Sequence, residues 1–133
     1  MPAKIQITFD CMDADAQAKF WAEVLGYVQQ PPPEGFITWE EFLTANNMPV
    51  PPGGEISAVV DPDGTGPRLL FMRVPEGKTA KNRLHLDVIV GDKRKARVTD
   101  LLALGATHVR DVTEDDSTWS VLLDPEGNEF CLI

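Results

Sequence analysis

The sequence predicts an α+β fold, two copies of a strand–helix–strands unit that form two curved, mainly antiparallel sheets with their helices outside. Three observations predict it. Apolar residues alternate in KIQITFD and again in LHLDVIV, the two-residue period of a half-buried strand. Each strand runs into an amphipathic segment that ends in glycine. One spacing then superposes the copies: an offset of 79 carries Gln6 onto His85, Asp13 onto Asp92 and Gly26 onto Gly105. A single copy would leave a sheet face and strand edges bare, and pairing two covers them.

In the first strand Ile5, Ile7 and Phe9 form the apolar face. The helix that follows carries Ala16, Phe20, Trp21, Val24 and Leu25 as its stripe, with Asp13 as its cap and Gly26 as its stop. Two strands join at Asp61-Pro-Asp-Gly64, a turn that recurs as Asp124-Pro-Glu-Gly127. The offset between these turns is 63, so the first copy holds 16 additional residues, net of small indels. They fall between Tyr27 and Glu55, where proline clusters bracket TWEEFLTANN, a short inserted helix near 38–47 capped by Thr38. The second copy opens with Leu84, Leu86 and Val88 on its core face. Its helix has Val98, Leu101 and Leu102 as the apolar side, Asp92 as cap and Gly105 as stop. Module one spans 1–74, a linker 75–82, and module two 83–133.

Length and composition narrow the function. The chain has 133 residues, 43% hydrophobic and 25% charged, the composition of one globular domain. A net charge of −9 argues against nucleic acid and anionic membrane surfaces as partners. No apolar run reaches the length of a membrane span. The N-terminus lacks an apolar signal region, and Cys11 and Cys131 read as reduced thiols, so the expected location is cytoplasmic.

FWAEVLGY after the first strand, HLDVIV opening the second copy, LLALGA and DPEGNEF occur in an order and spacing that resemble the vicinal oxygen chelate superfamily, the glyoxalase, bleomycin-resistance and extradiol-dioxygenase relatives. The chain most resembles small bacterial glyoxalase-like domains, in which a VPEGK…KNRLHLDV segment joins the modules. The resemblance covers nearly the whole chain. It implies a single glyoxalase-like domain of two βαβββ modules, a ligand cup inside the curved sheet, a small-molecule ligand and a homodimer.

Metal-binding relatives place four ligands in the cup, on the first and last strands of each module, commonly His or Glu. The positions that match are Gln6, Met72, His85 and Cys131. Only His85 is a usual ligand; Gln6 is a neutral donor, Met72 a soft thioether and Cys131 a thiol that must first lose its proton. No carboxylate stands in the set. The expectation is therefore a cup without a catalytic metal or other cofactor.

Strand parity puts His85 and Asp87 on one face, about 7 Å apart along the strand. That makes His85 the leading acid–base candidate with Asp87 as its orienter, against a structural histidine inside a sheet. Thr8 shares a face with Gln6, and Trp39 and Phe42 of the inserted helix either cover the cup or anchor that helix. Lys78, Lys81 and Arg83 read as solvated linker charge rather than an anion-attracting rim. Trp119 reads as core or dimer contact, and His108 as surface without a partner. The leading expectation is a metal-independent binding protein of the glyoxalase/bleomycin-resistance type. A lyase or isomerase for a small oxygenated substrate and an association-only domain remain open beside it.

Overall fold

The structure, a computed structural model, describes residues 1–51 and 55–133. The C-terminal end of the inserted segment, residues 52–54, lies outside the described residues. Backbone contacts divide the chain into two compact units, Met1–Gly77 and Lys78–Ile133.

The first unit runs β1 (Ile7–Cys11), α1 (Ala14–Leu25), β2 (Val28–Gln29), α2 (Trp39–Ala45), β3 (Ile56–Val60) and β4 (Leu69–Arg73). Its sheet has the order β1-β4-β3-β2, with β1 and β4 parallel and the other pairs antiparallel. The register Thr8↔Leu70 and Asp10↔Met72 puts these four side chains on one face. Phe9, Leu69 and Phe71 take the other, where Phe9 lies 5.1 Å from both Trp21 and Phe71 between ring centroids.

Asp13 caps α1 as expected, its carboxylate accepting from Ala16 N at 3.0 Å, and Gly26 ends the helix with a left-handed φ of 70°. The buried stripe is not quite the expected one. It runs through Ala14, Ala18, Trp21 and Val24, and Ala16 is exposed. An i, i+4, i+8 row drifts about 40° per step around a helix, so centring Trp21 on the core turns Ala16 out. Thr38 caps α2 by accepting from Glu41 N at 3.1 Å, and the Glu41 carboxylate reaches back to Ile37 N.

The second unit runs β5 (Leu86–Val88), a 3₁₀ turn (Gly91–Lys93), α3 (Arg94–Ala103), β6 (Thr107–Glu114), β7 (Ser117–Leu123) and β8 (Glu129–Leu132). Its order β5-β8-β7-β6, with β5 and β8 parallel, repeats that of the first unit. Two four-stranded mixed sheets with outlying helices realise the α+β expectation.

Three local expectations fail here. Asp92 does not cap a helix: it lies within the 3₁₀ turn, and α3 begins at Arg94 with no side-chain cap. The turn arises because Val90 N and Gly91 N both donate to the Ile133 carbonyl, which ends β5 early. Leu84 and Ile89 lie outside the three-residue strand and are 79% and 83% exposed, so Leu84 is not a core residue. On α3 the core contact is Leu101, fully buried, and Leu102 is exposed.

Both Asp-Pro-x-Gly turns form. Asp61 accepts from Asp63 N at 2.8 Å and Asp124 from Glu126 N at 2.9 Å, and Gly64 and Gly127 supply φ values of 72° and 86° that an L side chain resists.

Candidate functional site

Parity along β5 sends Leu86 and Val88 one way and His85 and Asp87 the other. Across the sheet, Asp87 is opposite Cys131, Cys131 opposite Val121, and Val121 opposite Arg110. Residues opposite one another share a face, so these four form a row across all four strands. With Lys81, His85, Trp119, Glu129 and Ile133 they line a cleft of about 450 Å³ within the second unit.

Arg110 reaches this face through an irregularity. The β6–β7 register shifts between His108 and Arg110, a bulge centred on Val109. Without it, Arg110 would follow His108 onto the opposite face, because alternate residues share a face.

On the edge-strand side of the cleft, His85 Nε2 lies 3.2 Å from Asp87 Oδ1. Cys131 is buried beside them, and its thiol is pushed up, first by burial and then by the charge and hydrogen bonding of Asp87. Arg110 opposes that shift without reversing it. At one end, Lys81 Nζ meets Glu129 Oε2 at 2.7 Å and holds that carboxyl below its ordinary range. Asn82 ties the linker here: its Nδ2 donates to the Leu84 carbonyl and its Oδ1 accepts from Glu129 N. Lys81 is therefore part of the cleft, not only solvated linker charge.

Gln6, Thr8, Met72, Trp39 and Phe42 lie in the first unit. Gln6 stands one residue before β1, as His85 stands one before β5. Its Oε1 accepts from Arg68 Nη1 at 2.9 Å, and Arg68 Nε donates to Gln30 Oε1 at 2.7 Å. Trp39 lies under the Arg68 guanidinium, 5.6 Å from it to the ring centroid, and its indole N–H donates to the Gln30 carbonyl at 3.4 Å. Phe42 packs edge-on against Trp39 and Phe36.

These contacts bear on a metal. The four matching positions do not suit a resident dication: the Gln6 oxygen already serves a guanidinium, whose charge repels a metal ion, and Met72 offers only a thioether. A different set exists in the second unit. His85, Asp87 and Cys131 can bring a nitrogen, an oxygen and a sulfur within 4.8 Å of one another. Asp87 thus supplies the carboxylate that the four sequence positions lack. Binding there would require removing the proton from the Cys131 thiol, which burial and Asp87 disfavour. That describes a loose three-donor contact rather than a closed site.

His108 is not partnerless. Its Nε2 lies 2.9 Å from Asp111 Oδ1, which also accepts from the Ser120 hydroxyl at 2.6 Å and faces Arg94 at 3.5 Å. The bulge at Val109 brings His108 and Asp111, three apart, to one face. Serine, histidine and aspartate here are not a nucleophilic triad. The Ser120 hydroxyl donates to the carboxylate rather than to imidazole and is fully buried, out of reach of a substrate.

Arg110, Trp119, Val121, Glu129 and Ile133 are cleft residues that sequence reasoning missed. Parity held the signal for two of them, Glu129 and Ile133, which alternate with Cys131.

The described residues include no helix long and apolar enough to cross a membrane. A search of the curated proteins returns no match. Among solved structures, the chain is similar to a fosfomycin resistance protein from Mesorhizobium loti (TM-score 0.67, 11% identity, covering 99% of this chain and 90% of that one). It is also similar to a glyoxalase/bleomycin resistance protein/dioxygenase family enzyme from Burkholderia phytofirmans PsJN (0.63, 18%, 96% and 94%). A third is a glyoxalase-related enzyme from Fulvimarina pelagi (0.61, 18%, 99% and 87%). At these identities the likeness is one of fold. The family described as "Glyoxalase-like domain" matches residues 6–133, nearly the whole sequence. The chain belongs to that family, in the vicinal oxygen chelate superfamily that its duplicated motifs resemble.

Proposed function

We propose that this protein binds a small molecule in the cleft of its second unit and does so without a resident catalytic metal. The observation that carries the reading is the make-up of that cleft. About 450 Å³ of space is walled by Trp119, Val121 and Ile133, with the His85–Asp87 pair, Lys81 and Arg110 among its lining. Small-molecule sites commonly combine such apolar walls with a few convergent polar groups. The metal-free part is supported by the engagement of Gln6 with Arg68 and by the thioether that Met72 offers in place of a hard donor. The expected setting is a cytoplasmic homodimer.

A thermal-shift screen of small oxygenated compounds tests binding. A ligand at one hundred times its Kd stabilises by about 2.7 kcal/mol. Val121→Trp, which fills the cleft, removes that shift. A shift that survives in Val121→Trp places the ligand elsewhere, and no shift with any compound favours the association-only reading. Metal analysis of protein purified without chelators or an affinity tag tests the rest: one stoichiometric divalent ion overturns it.

The His85–Asp87 contact favours a second reading, a lyase or isomerase. Asp87 engages Nε2 and would orient the ring, leaving Nδ1 to carry a proton to and from substrate. In that case His85→Ala abolishes turnover and leaves the melting transition in place.

A further inference from the structure

We infer that Arg68 anchors an oxyanion on the first unit's sheet, the carboxylate, phosphate or phosphonate of a small molecule with an apolar body. This is a binding group additional to the cleft around His85, and it stands or falls separately.

The inference starts from charge. The chain has 21 acidic and 12 basic residues, and four of the twelve cations pair with an acid among the described residues. Lys19, Lys81, Arg94 and Arg97 each have a carboxylate within 4.0 Å. Arg68 has none among the described residues. It is held instead by two neutral amide oxygens, those of Gln30 at 2.7 Å and Gln6 at 2.9 Å, and by the Trp39 ring. Its guanidinium is half-buried, and burial alone lowers its pKa. A desolvated cation without a counter-ion is costly, and a bolt between the ends of β1 and β2 does not require one. Neutral oxygens fix the plane of the guanidinium and leave its charge uncancelled.

Nη2 makes no hydrogen bond among the described residues. The Nη2 donors of a preoriented guanidinium are therefore available to an oxyanion. The rest of the ligand follows from strand parity. Leu70 and Met72 follow Arg68 on the same face of β4 and are half-buried, and Thr8 stands opposite Leu70. An oxyanion at Arg68 would leave its apolar body along those two side chains.

The test is a side-chain NMR titration at low salt, read at the Arg68 Nε–H and at the amides of Gln6 and Gln30. The probes are benzoate, phenylphosphonate, neutral benzamide and inorganic phosphate. Benzoate and phenylphosphonate should shift all three signals with saturation, phosphate more weakly for want of an apolar body, and benzamide not at all. Arg68→Met should bind at least about tenfold more weakly, with Arg68→Lys in between because it keeps the charge and loses the fork. The inference is overturned if no anion moves the Arg68 signal, if benzamide moves it equally, or if folded Arg68→Met binds as the wild type does. Shifts confined to Lys81 and Arg110 overturn it too while leaving the cleft proposal intact. Should Arg68→Met fail to fold, the wild-type Arg68 signal alone decides.

Discussion

The two sheets repeat one strand order and one Asp-Pro-x-Gly turn, yet present different chemistry on corresponding faces. In the first unit, Gln6, Thr8, Leu70 and Met72 are neutral, Asp10 stands as an exposed carboxylate opposite Met72, and the cation Arg68 is bound to amides. In the second, His85, Asp87 and Cys131 converge, with two cations and Glu129 close by. Duplication preserved which positions leave the core, because that follows from strand parity and from the need to bury the other face. It did not preserve what stands there. Gln6 and His85 occupy equivalent places one residue before their first strands; one is tied to a guanidinium and the other to a carboxylate.

The core side of the comparison carries the largest expected effects. FMRV and FCLI place Phe71 and Phe130 in corresponding positions on β4 and β8, and both are 0% exposed. Phe71→Ala and Phe130→Ala should each cost about 3–5 kcal/mol in urea unfolding, from lost burial and the cavity left behind. Equal costs would show that the duplicated cores remain equivalent. A loss below about 1 kcal/mol at one of them would break the equivalence, since a full aromatic cavity is not that cheap.

The turns should differ more. Asp124 is 2% exposed and accepts from Glu126 N, Asn128 N and Asn128 Nδ2, each at 2.9 Å. Asp124→Ala strands those donors, at a cost of about 1–3 kcal/mol. Asp61 accepts from Asp63 N, Gly66 N and the Thr65 hydroxyl, but in an open setting where water replaces the carboxylate. Asp61→Ala should therefore lose clearly less. A loss equal to that of Asp124→Ala would mean that burial does not distinguish the two turns.

Acid titration sharpens the same contrast. The Asp63 and Gly66 amides hold Asp61 below the ordinary carboxylate range, and His108 and then Ser120 do the same for Asp111. A folded pKa below the unfolded one means that the unfolded chain takes up the proton first. The stability contributed is fully present above the unfolded value of about 3.9 and is lost as pH falls through the depressed folded value. Asp111→Asn should flatten the loss of stability in that acid window and barely change the slope above pH ~5. A variant curve parallel to the wild type throughout would remove the His108–Asp111 contact from the account.

How far this was legible depended on where parity held. The repeat at 79 and the two turns located both sheets, and alternation placed His85 and Asp87 on one face. Alternation failed at Val109, where one extra residue flips Arg110 into the cleft and turns His108 toward Asp111. Nothing in THVRDV signals that bulge, so Arg110 was missed and His108 looked partnerless. The hairpin at Asp115 and Asp116, with φ of 46° and 67°, is of the kind usually marked by Asn-Gly or Asp-Gly, and here lacks the glycine. Arg68 went unnoticed for a related reason. Its partners Gln6 and Gln30 are 62 and 38 residues away, and neither is an acid that would draw attention to it.

The smallest effect concerns the two thiols, one in each unit. Cys11 is 2% exposed and bonds to the Met72 carbonyl; Cys131 is 8% exposed and opens on the cleft, beside Asp87. Both should react slowly with iodoacetamide at neutral pH, Cys11 because the reagent cannot reach it and Cys131 because its thiolate is disfavoured. Those causes separate by mutation. Asp87→Asn removes the nearby negative charge, so the Cys131 thiol should fall toward its ordinary value and its alkylation at fixed pH should rise severalfold. Arg110→Ala removes the one opposing cation and should slow it. Cys11 should ignore both changes. If Asp87→Asn leaves the Cys131 rate untouched while the protein stays folded, access rather than the Asp87 charge limits that thiol. The argument that its proton resists a metal would then rest on burial alone.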